Sequence, residues 1–126
     1  MSPSVAKANV KKLGEELEAA VAAGSKALHF GPQSPPMVPK MNWVHPDMVK
    51  AVRSDFPDVV MEAKLSVCLR NPIECEWTIN QWVKAGTDAI YIHPESTSQP
   101  LAVLNHIKKA GCASGLVINP DTPVAG

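Results

Sequence analysis

Two short apolar runs in this chain end on histidine: Ala27-Leu28-His29-Phe30, and Ala89-Ile90-Tyr91-Ile92-His93. An imidazole at the end of a buried strand stands where α/β folds open onto their ligand-binding loops, and it could bind a metal or carry a proton. Past His29 the chain enters the proline-rich stretch Gly31-Pro32-Gln33-Ser34-Pro35-Pro36-Met37-Val38-Pro39, which has no carboxylate, no cysteine and no second histidine before His45. Catalysis needs a base, an orienting partner and a charge stabiliser in mutual reach. His29 therefore reads as a residual structural histidine. His93, with Glu95 two residues on, keeps more of a binding role. His45 and His106 read as solvated, at a helix start and within a helix, and Trp43, Trp77 and Trp82 as core or interface anchors.

Twelve basic and twelve acidic residues cancel over 126 positions. With no basic run, the balance argues against nucleic acid or an anionic membrane as partner. Cys68, Cys75 and Cys112 are odd in number and match neither a CxxC pair nor a disulfide framework, so they read as reduced thiols inside a cell. No apolar run approaches the ~20 residues of a membrane span, and the amino terminus lacks a secretory apolar core. The expectation is an intracellular protein of the cytosol or an organelle (mitochondrion or plastid), with no membrane insertion.

These residues need elements to position them. Val10, Leu13, Leu17, Ala20 and Val21 recur at helical spacing, and Gly24 is a natural stop. The strand Ala27 to Phe30 follows. Pro46 opens a second helix at the position where proline loses no hydrogen bond. From Val59 to Val67 the residues alternate, with Val59, Met61, Ala63, Leu65 and Val67 on one face and Val60, Glu62, Lys64 and Ser66 on the other, which predicts a strand whose second face borders a polar lumen. Asn71-Pro72-Ile73-Glu74 resembles a capping box and starts a third helix ending at Gly86. The strand Ala89 to His93, a helix from about Pro100 to Ala110, and a last strand Gly115 to Ile118 complete the order. Three helix-to-strand joints repeat, Ala23-Gly24-Ser25, Ala85-Gly86-Thr87 and Ala110-Gly111-Cys112. The pattern predicts an α/β fold, a partial (β/α) TIM-type barrel of about four to five parallel strands with a possible remnant at Ser4-Val5, in one domain over 1–126. A complete barrel takes about 200 residues at least.

Leu28-His29-Phe30, Met37-Val38-Pro39, Ala85-Gly86-Thr87-Asp88-Ala89-Ile90, His93-Pro94-Glu95 and Gly115-Leu116-Val117-Ile118-Asn119-Pro120-Asp121-Thr122-Pro123-Val124 resemble, in order and across essentially the whole chain, the ribulose-phosphate 3-epimerase family; Pro3-Ser4-Val5 with Leu13-Gly14-Glu15-Glu16 resembles its opening segment. The resemblance implies a ribulose-phosphate-binding barrel that interconverts ribulose 5-phosphate and xylulose 5-phosphate. Two aspartates serve there as acid and base, and a divalent metal is held by those aspartates and two histidines. Carried over, His29 stands at the first metal histidine, Gly31 at the aspartate that is both ligand and acid/base, and Lys64 at the second metal histidine. Pro32-Gln33-Ser34-Pro35-Pro36-Met37 replaces the family's Val-Met-Asp-Gly-His-Phe, and the second aspartate and the phosphate loops belong to strands beyond Gly126.

The resemblance thus implies a truncated relative with no catalytic residue at Gly31, no metal cofactor, and a residual substrate-binding set of Ser4, His29, Lys64 and His93. Lys64 has a second reading as a Schiff-base or carbanion-stabilising lysine. Glu62-Ala63-Lys64 faintly resembles the Asp-x-Lys of decarboxylases on related barrels, although Val67 stands where that pattern wants a further aspartate. The plain alternative is a lysine paired with Glu62 or snorkelling to water. Open sheet edges call for cover. The expectation is therefore a catalytically inactive subunit partnered by other protein chains, in a hetero-complex or a homo-oligomer. Its alternatives are an epimerase, or part of one, and a sugar-phosphate binder without turnover.

Overall fold

The computed structural model describes residues 13–35, 37, 42 and 44–118. Helix α1 (Leu13–Ala22) leads into β1 (Ala27–Phe30), followed by α2 (Pro46–Asp55), β2 (Val60–Leu65), α3 (Pro72–Ala85), β3 (Ala89–Ile92), a 3-10 turn (Pro94–Ser96), α4 (Pro100–Lys109) and β4 (Ala113–Leu116). The four strands form one parallel sheet in the order β1-β2-β3-β4. Each crossover carries a helix, and the right-handed rule puts successive crossovers on the same side of a sheet built in sequence order. The result is the curved α/β arc of a partial TIM-type barrel, as expected. The possible strand at Ser4-Val5 lies outside the described residues, as does Val10 of the first helix.

Local chemistry sets the helix ends. The Asn71 side chain accepts from the backbone N–H of Ile73 and of Glu74, and Pro72 stands in the first turn. His45 caps α2 by accepting the Asp47 N–H at Nδ1. Gly86 closes α3 at φ 107°, a left-handed geometry that a side chain would strain. The last strand begins two residues earlier than expected, at Ala113 rather than Gly115, because its ladder starts where the Ala113 N–H meets the Asp88 carbonyl at 3.0 Å. The alternating stretch is trimmed at both ends: Val59 is buried ahead of β2, and Val67 packs beyond it.

Leu28, Phe30, Met61, Ala63, Leu65, Ile90 and Ile92 are fully buried and meet Val49, Ile79 and Ile107 of the helices. One polar knot ties the helix layer to the start of the sheet. Arg53 donates to the carbonyls of Pro57, Val59 and Gly86 and to Asp88 Oδ2, at 2.9, 2.7, 2.8 and 2.6 Å. The same Asp88 oxygen accepts the Met61 N–H at 2.8 Å. Leu116 of β4 is 41% exposed, and Ile118, just past the strand, 57%.

Candidate functional site

In register, His29 stands opposite Glu62 and Glu62 opposite Ala89, while Lys64 stands opposite Tyr91 and Tyr91 opposite Gly115. Side chains at paired positions of parallel strands share a face. His29, Glu62, Lys64 and Tyr91 therefore lie together on the face away from the helices, and all four are half-buried. Gly31 falls opposite Lys64, between the pairs Phe30–Ala63 and Gln33–Ser66. The sheet thus places His29, Gly31, Lys64 and His93 at one end of one face. Ser4 lies outside the described residues.

His29 does have a carboxylate, contrary to the reading from its sequence neighbours: its Nδ1 lies 3.2 Å from Glu62 Oε1. A carboxylate only accepts, so Nδ1 donates to Glu62. Glu62 is consequently not the partner of Lys64, which makes no ion pair with any described residue. His93 Nε2 lies 2.9 Å from the hydroxyl of Ser66, a buried residue at the end of β2. Its Nδ1 stands 3.9 Å from Glu95 Oε1, beyond hydrogen-bond reach, and neither that nitrogen nor Glu95 Oε2 has a partner. Burial, with a smaller push from the Lys64 ammonium, holds the His93 imidazole below the usual histidine range against the pull of Glu95. His93 is therefore a neutral imidazole near neutral pH.

The loop after β1 is held by Asn42, which sequence reasoning passed over. Its side chain donates to the Gly31 carbonyl at 2.7 Å and accepts from the N–H groups of Gln33 and Val44 at 3.2 and 3.3 Å. Glu62 and Ser66 were also passed over as site residues. The alternation that placed Lys64 on the lumen face held the signal for both, since they flank it at two-residue spacing. His106 is not simply solvated, because its Nε2 meets Asn80 Oδ1 at 3.0 Å. It also lines a cavity of about 280 Å³ between α3 and α4, with Arg70, Cys75, Thr97 and Val103, that contains none of the lumen residues. Of the tryptophans, Trp82 is core and Trp77 is exposed, while Trp43 lies outside the described residues. The three cysteines are unpaired, and burial raises the thiol pKa of Cys75 and Cys112.

The donor set fits poorly with the divalent metal that the resemblance implies. Among the described residues, a Cβ built on Gly31 would touch only the His29 ring, 3.7 Å from Nε2. A carboxylate at 31 would thus share a centre with that histidine; glycine supplies no oxygen, and Lys64, opposite it, brings a positive charge. Among the described residues no three His, Cys, Asp or Glu side chains gather as a metal-holding group. No helix among them is long and apolar enough to cross a membrane.

Solved structures similar to this fold include Yersinia pestis DHPS with a pterine-sulfa conjugate, with a TM-score of 0.62 at 16% identity over 96% of this chain and 45% of that one. Phosphoenolpyruvate phosphomutase from Streptomyces platensis subsp. rosaceus follows, with a TM-score of 0.57 at 16% identity over 92% and 53%. At that identity the likeness speaks for the barrel fold alone. Ribulose-phosphate 3-epimerase of Buchnera aphidicola subsp. Schizaphis graminum is 35% identical over 97% of this chain and 51% of its own length. The chloroplastic ribulose-5-phosphate-3-epimerase of Arabidopsis thaliana is 32% identical over 99% and 43%, and the Escherichia coli K12 enzyme 30% over 99% and 53%. The chain thus spans about half the length of the curated relatives it matches. The sequence profile described as the Ribulose-phosphate 3 epimerase family matches residues 1–126. On that match, and on relatives 30–35% identical over nearly all of this chain, the chain belongs to the ribulose-phosphate 3-epimerase family.

Proposed function

We propose that this chain is a catalytically silent member of its family and acts by binding other protein chains. The observation that carries the reading is the pair Gly31 and Lys64, set opposite each other in the strand register. Epimerisation at a carbon beside a carbonyl withdraws a proton from one face and returns one to the other, so it needs two placed acid/base groups and a stabiliser for the charge between. Glycine at 31 can neither take nor give a proton, and a lysine at 64 repels the cation that would stabilise an enediolate. Glu62 is no substitute, because it holds His29.

Support for a protein partner comes from the sheet. Among the described residues β1 and β4 each have one edge without a neighbouring strand. A row of free N–H and C=O groups beside exposed apolar Leu116 and Ile118 is a template for another strand. The partner chemistry is therefore a parallel strand with an apolar outer face, from another protein or from a second copy.

The test is epimerase turnover on ribulose 5-phosphate with added divalent metal. The expected result is no turnover above the metal-only control, and turnover that disappears in His29→Ala would overturn the reading. For the partner, native mass spectrometry of the protein taken from its own cells should show an assembly larger than one chain; a lone monomer refutes that part.

A further inference from the structure

We propose that two copies of this chain associate through the outer faces of α3 and α4, each seating its Trp77 in the cavity between those helices on the other copy. Two features of one surface carry the inference. The first is a knob: Trp77 is 63% exposed and Ile73, one turn before it, 81%, while the face of α3 that packs inward runs through Cys75, Ile79 and Trp82. A bare indole beside a bare isoleucine marks a contact surface. The second is a hole: the cavity of about 280 Å³ has buried Leu69, Cys75 and Val103 at its base and exposed Pro72, Glu76 and Ala102 at its mouth. Both lie on the helix side, away from the lumen and from the strand edges of the reading above, on which the inference does not depend.

Knob and hole match in size and chemistry. An apolar cavity of about 150 Å³ holds a benzene-sized ring, so about 280 Å³ takes an indole. The Thr97 hydroxyl and the Gln99 side-chain carbonyl in the lining are acceptors for the indole N–H. Trp77 does not line its own cavity. It stands about 100° around the helix from Glu76 at the mouth, and a two-fold axis near Ile73 brings it over Leu69 and Pro72 of the second copy. The same operation sets Glu76 of each copy toward Arg70 of the other. Arg70 has one hydrogen bond, to the Glu95 carbonyl, and neither charge has an ion pair with a described residue. A knob and a hole side by side let a two-fold pair close, whereas a distant pair would build open chains. Exchange of two partly exposed indoles buries roughly 400–600 Å² over both knobs and both holes, about a third to a half of the ~1,200 Å² at which specific interfaces start. The Ile73 pair and the two rims add to it, so the dimer is reversible and of micromolar order.

The experiment is sedimentation equilibrium of the purified full chain from micromolar to near-millimolar concentration. The wild type is expected to show reversible monomer and dimer. Trp77→Ala removes both knobs and should weaken association about 100-fold or more. Ala102→Phe keeps the knob but fills the mouth, and should weaken association as well. Both positions are exposed, so both variants should fold. Mixed together, the two variants should associate more tightly than either alone, because Trp77 of the Ala102→Phe copy meets an open cavity in the Trp77→Ala copy. Leu116→Lys, at the strand edge, should leave the dimer unchanged. A wild type that is monomeric throughout, a Trp77→Ala variant that dimerises like the wild type, or a mixture no tighter than its components would each overturn the proposal. Loss of the dimer in Leu116→Lys would overturn it too, by assigning the contact to the strand edge. These outcomes concern purified protein and no turnover, so they are separate from those of the epimerase assay and of the assembly taken from cells.

Discussion

Restoring two side chains should restore a metal site. In the double variant Gly31→Asp/Lys64→His, residues 29, 31 and 64 would present an imidazole, a carboxylate and a second imidazole to one point. The geometry allows it: Cβ of residue 31 comes 3.7 Å from His29 Nε2, and residue 64 lies one strand spacing away, about 4.8 Å. Donors so placed can reach a common ion at bond lengths of about 2.1 Å. In the wild type a divalent ion about 4 Å from the Lys64 ammonium would be repelled by roughly 8 kcal/mol, twice a unit pair's roughly 4 at an effective dielectric of about 20. Lys64 is half-buried and can swing toward water, so a few kcal/mol of that is the retained effect, about two decades in Kd. Titration with Mn2+ followed by calorimetry should show no saturation for the wild type. The double variant should bind at least about 100-fold more tightly, with each single variant in between. The reasoning is refuted if the wild type binds Mn2+ as tightly as the double variant and His29→Ala abolishes that binding.

Arg53→Met should cost about 2 kcal/mol in urea denaturation, because three carbonyls and Asp88 lose a charged donor, with a discount for the half-exposed carboxylate; an unchanged midpoint would mean the knot contributes nothing. In the same denaturation Gly86→Ala should cost about 1 kcal/mol or more, since φ is 107° and the new Cβ would lie 3.3 Å from Arg53 Cγ, whereas Gly31→Ala should be nearly neutral. His93 adds a pH dependence. Its folded-state pKa is lowered, so below the unfolded value of about 6.5 the unfolded chain takes up a proton that the folded one resists, and stability falls as pH drops through that window. Above it His93 contributes no slope, and His93→Gln should flatten the stability profile below about pH 6.5; an unchanged slope would count against a buried neutral His93.

Much of the architecture was legible because its causes are local. Asn71 and Pro72 start a helix, and Gly86 stops one, through backbone groups within a few residues. The alternation of Met61, Ala63 and Leu65 with Glu62 and Lys64 separates the two faces of β2 without reference to the rest of the chain. The site was legible only in part. His29 seemed to lack a carboxylate because Glu62 is 33 residues away, and His93 reaches Ser66 across 27. Such pairs depend on strand register, which is set by how three helices pack on the sheet, and no local pattern encodes it. Arg53 and Asp88, 35 residues apart, escaped notice for the same reason.

By itself, then, the sequence determined the elements, the lumen face, the family likeness and the residue types at 29, 31 and 64, because side-chain identity and short-range periodicity are properties of the chain alone. The tertiary structure decided which of those residues meet. It set Lys64 against the space at Gly31 and turned Glu62 to His29 rather than to Lys64, because parallel strands joined through helices bring distant positions into one register only when the core packs.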